Sequence, residues 1–168
     1  MIWKQRLARS LHLSRSKPDS RYFQLATYCE ARGVQNRTVV FRGFNDADTQ
    51  LYFVTEKDCD KVRSLQSQPQ AEIAWYFAKT REQYRLRVEC NLVGDDADVN
   101  DAQCRQQIWQ ELSVSARESF KPANDRPPAN FIVSVCTITQ VDYLYLGQSH
   151  ERYLYEPSTS WQEQSIPV

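Results

Sequence analysis

The sequence is poor in the residues that most enzymes use to move protons or hold metals near neutral pH. Only His12 and His150 are histidines, which excludes a histidine-rich metal cluster and leaves a serine or cysteine triad few bases to draw on. Redox chemistry would therefore need a borrowed cofactor. No Cys-x-x-Cys pair occurs among Cys29, Cys59, Cys90, Cys104 and Cys136, and their odd number and wide spacing argue against a disulfide framework and a zinc site. Reduced thiols in a cytoplasmic protein are the simpler expectation.

An excess of one charge is missing too. The 21 basic and 21 acidic residues cancel, so no overall field recruits nucleic acid or an acidic membrane, and any anion must be held locally. No apolar run approaches a membrane span. The first nine residues alternate charged with apolar groups, unlike the basic cap and apolar run of a secretory signal. A chain of 168 residues fits one domain. No repeat, low-complexity tract or composition shift marks a second, so residues 1–168 read as one unit.

What is present is mostly strand. Ile2, Trp3, Leu7 and Leu11 predict an amphipathic N-terminal helix, stopped by Ser16, Lys17 and Pro18. Residues 22–28, 37–44, 51–55, 72–77 and 84–93 are rich in aromatic and β-branched side chains and predict five antiparallel strands, the first ones in a meander through short turns near 30–36 and 45–49. Helices are expected over 57–67 and 100–120, the second with Ile108, Trp109 and Leu112 on one stripe and closed by the proline-rich stretch 121–128. Strands 130–139, 141–146 and 152–155 follow, with a short one around Trp161. So many strands predict closure into a barrel, which removes exposed edges.

Three segments could carry chemistry. In the first, alternation puts Arg37, Val39 and Phe41 on one face of a strand and Thr38, Val40 and Arg42 on the other. Surface arginines with snorkelling stems fit this pattern as well as a binding strand does. In the second, a strand delivers Thr55 to a turn whose following helix would point free amides at an anion. Asp58 in the same turn reads equally as a helix cap or dipole partner. In the third, an aromatic strand through Trp75 and Tyr76 leads to one with Gln83, Arg85 and Arg87 on a common face, either a charged solvent face or a set of donors for a polar ring edge.

The order of these segments resembles the pyridoxamine 5'-phosphate oxidase-like split barrel over nearly the whole chain. The resemblance rests on residues 24–27, Arg37 to Val40, Thr55 to Lys61, 74–77 and 83–85. It is supported by Trp109 to Ser113 with Arg117 and Phe120, by 141–144, and by Trp161 before Pro167. It implies a mainly β fold, an antiparallel six-stranded split β-barrel with flanking helices, working as a homodimer with cofactor clefts at the interface. The implied cofactor is flavin mononucleotide (FMN). Arg37 would lie near its phosphate and Thr38, Val39 and Val40 along its ring through backbone groups, with Thr55, Lys61, Gln83 and Arg152 as further contacts. Arg42 and His150 would face a small-molecule substrate.

The chain departs from the family pattern where Asp58, Cys59 and Asp60 replace the usual Arg and Ser before Lys61, which predicts weaker flavin affinity because carboxylates oppose a dianion. Gln148 stands where the true oxidase has a substrate-binding arginine, and Cys90 falls near a usual glycine. The leading expectation is an FMN-dependent oxidoreductase of unknown substrate. The alternative is a non-catalytic or flavin-free relative. A single-strand nucleic-acid barrel would need a positive groove that a neutral chain does not supply.

Overall fold

The computed structural model describes residues 1–44, 49–120 and 125–168; the expected turn at 45–49 and helix stop at 121–128 lie largely outside the described residues. Alternating burial builds β1 (Tyr22–Cys29) and β2 (Gly33–Val40), joined at Gly33 with φ of +69°, a left-handed conformation that costs glycine little. The chain continues as β3 (Gly43–Phe44), β4 (Gln50–Glu56), β5 (Gln70–Phe77), β6 (Glu82–Val93), β7 (Phe131–Leu146), β8 (His150–Tyr155) and β9 (Gln164–Ser165). The helices are α1 (Ile2–Leu13), α2 (Asp60–Ser67), α3 (Val99–Glu111) and α4 (Val114–Glu118).

Every pairing is antiparallel, in the order β2-β1-β5-β6-β7-β4-β3, with β8 on β7 and β9 on β8. The two ends of this order, β2 and β3, are consecutive pieces of one chain separated only by Phe41 and Arg42. The Phe41 amide donates to the Arg21 carbonyl (2.7 Å) and the Arg42 amide to that of Tyr52 (3.1 Å), so this dipeptide steps from the β1 side of the sheet to the β4 side. The barrel is thus closed by the covalent chain and split where a ladder would otherwise run.

The mainly β, antiparallel architecture with flanking helices is as expected, but the strand count is not. Among the described residues the sheet has nine strands instead of six and its ladder does not close. Residues 37–44, read as one strand, break at the Phe41–Arg42 step. Residues 130–146, read as two strands, form the single β7, because a register shift opposite Arg87 and Val88 leaves Thr139 unpaired, its hydroxyl on the Arg87 carbonyl (3.2 Å). The expected meander is two hairpins, β1–β2 and β3–β4, at opposite ends of the sheet. The helix expected over 100–120 is α3 and α4, interrupted where Leu112 turns extended and Ser113 caps the Ala116 amide. Trp161 lies in a left-handed turn before β9.

Two apolar clusters hold the fold. The barrel interior packs Phe23, Phe53, Trp75, Phe77 and Tyr84 under Trp3 and Leu7 of α1. A second cluster on the outer side of β7 packs Phe131, Val133 and Val135 under Trp109 and Phe120. Burying such side chains stabilises by about 1.5–3 kcal/mol each. The buried carboxylate of Glu82 is satisfied by the hydroxyls of Ser10 and Tyr143, which ties α1 to β6 and β7.

Candidate functional site

Thr55 and Lys61 meet at the start of α2, with Arg37 of β2 close enough to feel the charge of Cys59 and Asp60. Thr55 continues the inward row of Leu51 and Phe53 along β4, and the chain then turns through Cys59 into the helix. The Lys61 ammonium donates to the Thr55 hydroxyl (2.9 Å) and lies 3.4 Å from the Cys59 sulfur, itself 3.3 Å from the Thr55 oxygen. Arg37 reaches in from β2, donating to the buried Thr27 hydroxyl (2.6 Å) and the Leu25 carbonyl (3.2 Å). Burial pulls the Arg37 guanidinium below its ordinary pKa, against Cys59 and Asp60, which push it up. Each cation therefore rests on its own neutral groups, Arg37 on a hydroxyl and a carbonyl, Lys61 on a hydroxyl and a thiol. Among the described residues, neither makes an ion pair.

The carboxylates expected to oppose an anion are accounted for differently. Asp60 is exposed and turned to Arg32 (2.8 Å) and Arg63 (2.5 Å), which hold its pKa below the usual carboxylate value, Arg63 contributing most. Asp58 is exposed. Burial pushes the Cys59 thiol up, but the Thr55 hydroxyl, the Val62 amide and Lys61 together bring it below its ordinary value. The cradle keeps a positive balance at its centre and carries its acidic residues on the rim.

Next to it, Thr38 and Gln83 line an outer-face cleft of about 380 Å³ with Tyr22, Gln24, Ala74 and Tyr76. Gln24 donates to the Thr38 hydroxyl (2.9 Å). Val39 turns its side chain into the core, so it can offer only backbone groups, and Val40 is half-buried beside Tyr22. Because β2 ends the sheet order, its far edge has no ladder partner among the described residues.

Register puts Arg152 on the same outer row as Gln83, through Leu144. Its guanidinium is occupied: two nitrogens donate to Asp142 (3.0 and 2.8 Å), which Arg85 also engages. Burial pushes the Asp142 carboxyl up, but Arg152 and Arg85 outweigh it and hold the pKa below the ordinary value.

Arg42 and His150 are not brought together. His150 is exposed at the start of β8. Arg42 lines a recess of about 250 Å³ with Arg21, Tyr52, Glu111 and Ser113. Burial, then Arg21, lowers the Arg42 pKa. Glu111 accepts from the Tyr52 hydroxyl (3.0 Å); burial first, and that bond second, push Tyr52 up to about 12.

Sequence reasoning missed Thr27, Arg21, Asp142 and the pair Arg32 and Arg63. The spacing of Asp60 and Arg63 on one helix face was a readable signal, whereas Arg32 reaches Asp60 only through the fold.

Comparison with known proteins agrees with this fold. A family model described as pyridoxamine 5'-phosphate oxidase, FMN-binding domain, matches residues 1–94. Pyridoxine/pyridoxamine 5'-phosphate oxidase 2 of Arabidopsis thaliana is 30% identical over 129 residues, covering 76% of this chain and 65% of that protein, so the chain spans less than two thirds of this relative. A pyridoxamine 5'-phosphate oxidase-related, FMN-binding protein of Nostoc punctiforme superposes with a TM-score of 0.87 at 35% identity, covering 99% of this chain and 97% of that one. PhzG of Burkholderia lata, solved with tetrahydrophenazine-1-carboxylic acid, shares the fold at 16% identity, with a TM-score of 0.76 over 98% of this chain and 90% of its own. Fold and matched sequence together make this chain a member of the pyridoxamine 5'-phosphate oxidase FMN-binding domain family.

Proposed function

We propose that this protein is an FMN-dependent oxidoreductase acting on a small molecule, with cofactor clefts at the interface of a homodimer in the cytoplasm. The observation that carries the reading is the cradle, where Arg37 and Lys61 each rest on neutral partners of their own and make no ion pair among the described residues. Such a pair fits a phosphate, which brings the charge and acceptor oxygens that these donors lack. Arg37, Lys61 and the Thr55 hydroxyl would hold the phosphate. The free edge of β2 at Thr38, Val39 and Val40, with Gln83 across the cleft, would line the ring.

Bound flavin supplies a hydride acceptor for an amine or other reduced carbon. The protein's part is to orient and exclude water: Tyr22 and Tyr76 expose about half their surface on the outer face (46% and 52%), and a second copy of the chain would cover them. Arg21 and Arg42 line one recess and would take a negatively charged group of the substrate. With glutamine at position 148 in place of the oxidase arginine, the substrate need not be pyridoxamine 5'-phosphate itself.

A second reading, a flavin-free or non-catalytic relative, is favoured by Arg152, whose guanidinium already donates to Asp142 and to the Pro167 carbonyl. The visible spectrum of the purified protein, before and after FMN is added and the excess removed, separates the two. Stoichiometric yellow flavin supports the oxidoreductase; no retention at high FMN leaves the second reading.

A further inference from the structure

The flavin reading makes no use of two thiols in the barrel interior. Cys90 of β6 and Cys136 of β7 are directly opposed in register, and their sulfurs lie 3.0 Å apart. The Cys90 amide donates to the Pro69 carbonyl (2.9 Å), on the β5 side. Towards β7 the pair is therefore a non-hydrogen-bonded one, the position where antiparallel strands bring side chains closest. Its Cα separation, about 4.5 Å for such pairs, falls in the range that a disulfide spans without moving the backbone.

We propose that Cys90 and Cys136 are a redox modification site that closes reversibly into a cross-strand disulfide, with a peroxide as oxidant. The order of events follows from the surroundings. Cys90 keeps 5% of its surface exposed and Cys136 none, so a small oxidant meets Cys90 first. The hydrogen bond between the two sulfurs lowers the Cys90 pKa, while burial pushes Cys136 up, so Cys90 carries the thiolate character. The Cys90 sulfur displaces hydroxide from hydrogen peroxide, breaking the O–O bond and leaving a sulfenic acid and, once the thiol proton has moved, one water. The Cys136 sulfur then attacks the Cys90 sulfur. The S–S bond forms, the S–O bond breaks, and the departing hydroxide takes the Cys136 proton as a second water. Two thiols give up two electrons and two protons, and the peroxide takes up both. A dithiol reverses the step by exchange.

The closed bond staples β6 to β7 within the wall that also carries β4 and, at its end, Thr55. The test is to expose the folded protein, with and without FMN, to hydrogen peroxide, denature it, alkylate the remaining thiols and map the peptides by mass. The expected result is a loss of two alkylatable thiols, a single crosslink joining Cys90 to Cys136 that dithiothreitol removes, and the same outcome whether or not flavin is bound. Full alkylation of Cys90 and Cys136, separate sulfinic acids at the two positions, or a link to any other cysteine would overturn the proposal. Because the mapping uses the unaltered chain, it does not depend on a Cys90→Ser variant folding.

Discussion

Two clusters of arginine and lysine on this barrel are built on opposite principles. Around Asp142, Arg85 and Arg152 converge on a carboxylate that is only 13% exposed, so both have an anionic partner and one of their two charges is offset within the protein. At the start of α2, Arg37 and Lys61 are positioned by Thr27, Thr55, Cys59 and a backbone carbonyl, none of which cancels a charge. A half-buried cation without a counter-ion costs stability, and that cost is recovered only when an anion arrives. The first cluster therefore reads as part of the fold and the second as a site.

Breaking the cradle should have the largest effect. Arg37→Met or Lys61→Met should each weaken FMN binding by about tenfold or more, and the pair by about a hundredfold, in a fluorescence titration. The flavin-free protein should keep its stability or gain slightly, because a desolvated charge is removed. Asp142→Ala should do the reverse, costing about 1–2 kcal/mol in urea unfolding, held down by the partial exposure of both arginines. Asp142 also sets a pH window. Its folded pKa is depressed, so its contribution is complete above the unfolded value of about 3.9 and is lost as pH falls through the lower folded value. Acid unfolding of the Asp142→Asn variant should lack that loss.

The smaller effects sharpen the contrast at the cradle's rim. Asp60→Asn should tighten FMN binding by about two- to fivefold, by freeing Arg32 and Arg63 to face the anion, with the gain shrinking as salt rises. Cys59 has a lowered pKa, so rising pH should convert it to a thiolate that repels the phosphate. FMN affinity should weaken as the solution becomes alkaline, and Cys59→Ser should flatten that fall.

The same contrast explains what could be read before folding. The strands that carry Phe23, Phe53, Trp75 and Phe77 were readable from their aromatic and β-branched content, because that signal is local. The step at Phe41 and Arg42 was not readable, since it depends on which neighbour each amide finds, Arg21 or Tyr52. The break at Leu112 was hidden because the apolar stripe continues across it, and the union of two expected strands into β7 was hidden because a one-residue bulge at Thr139 looks like a strand end. At the site, Arg37, Thr55 and Lys61 were named through the family resemblance, and the structure joins Lys61 to Thr55 and sets Arg37 within electrostatic reach of Cys59. The pairing of Asp60 with Arg32 and of Asp142 with Arg85 and Arg152 joins residues far apart in the chain. These pairings decide which charges are spent and which remain for a ligand.

The most direct test of the cradle is the affinity of the unaltered protein for FMN compared with riboflavin, which has the same ring and no phosphate. If Arg37 and Lys61 form an anion site, FMN should bind about a hundredfold or more tightly than riboflavin, and the difference should shrink with salt. Equal affinities for the two would contradict the account.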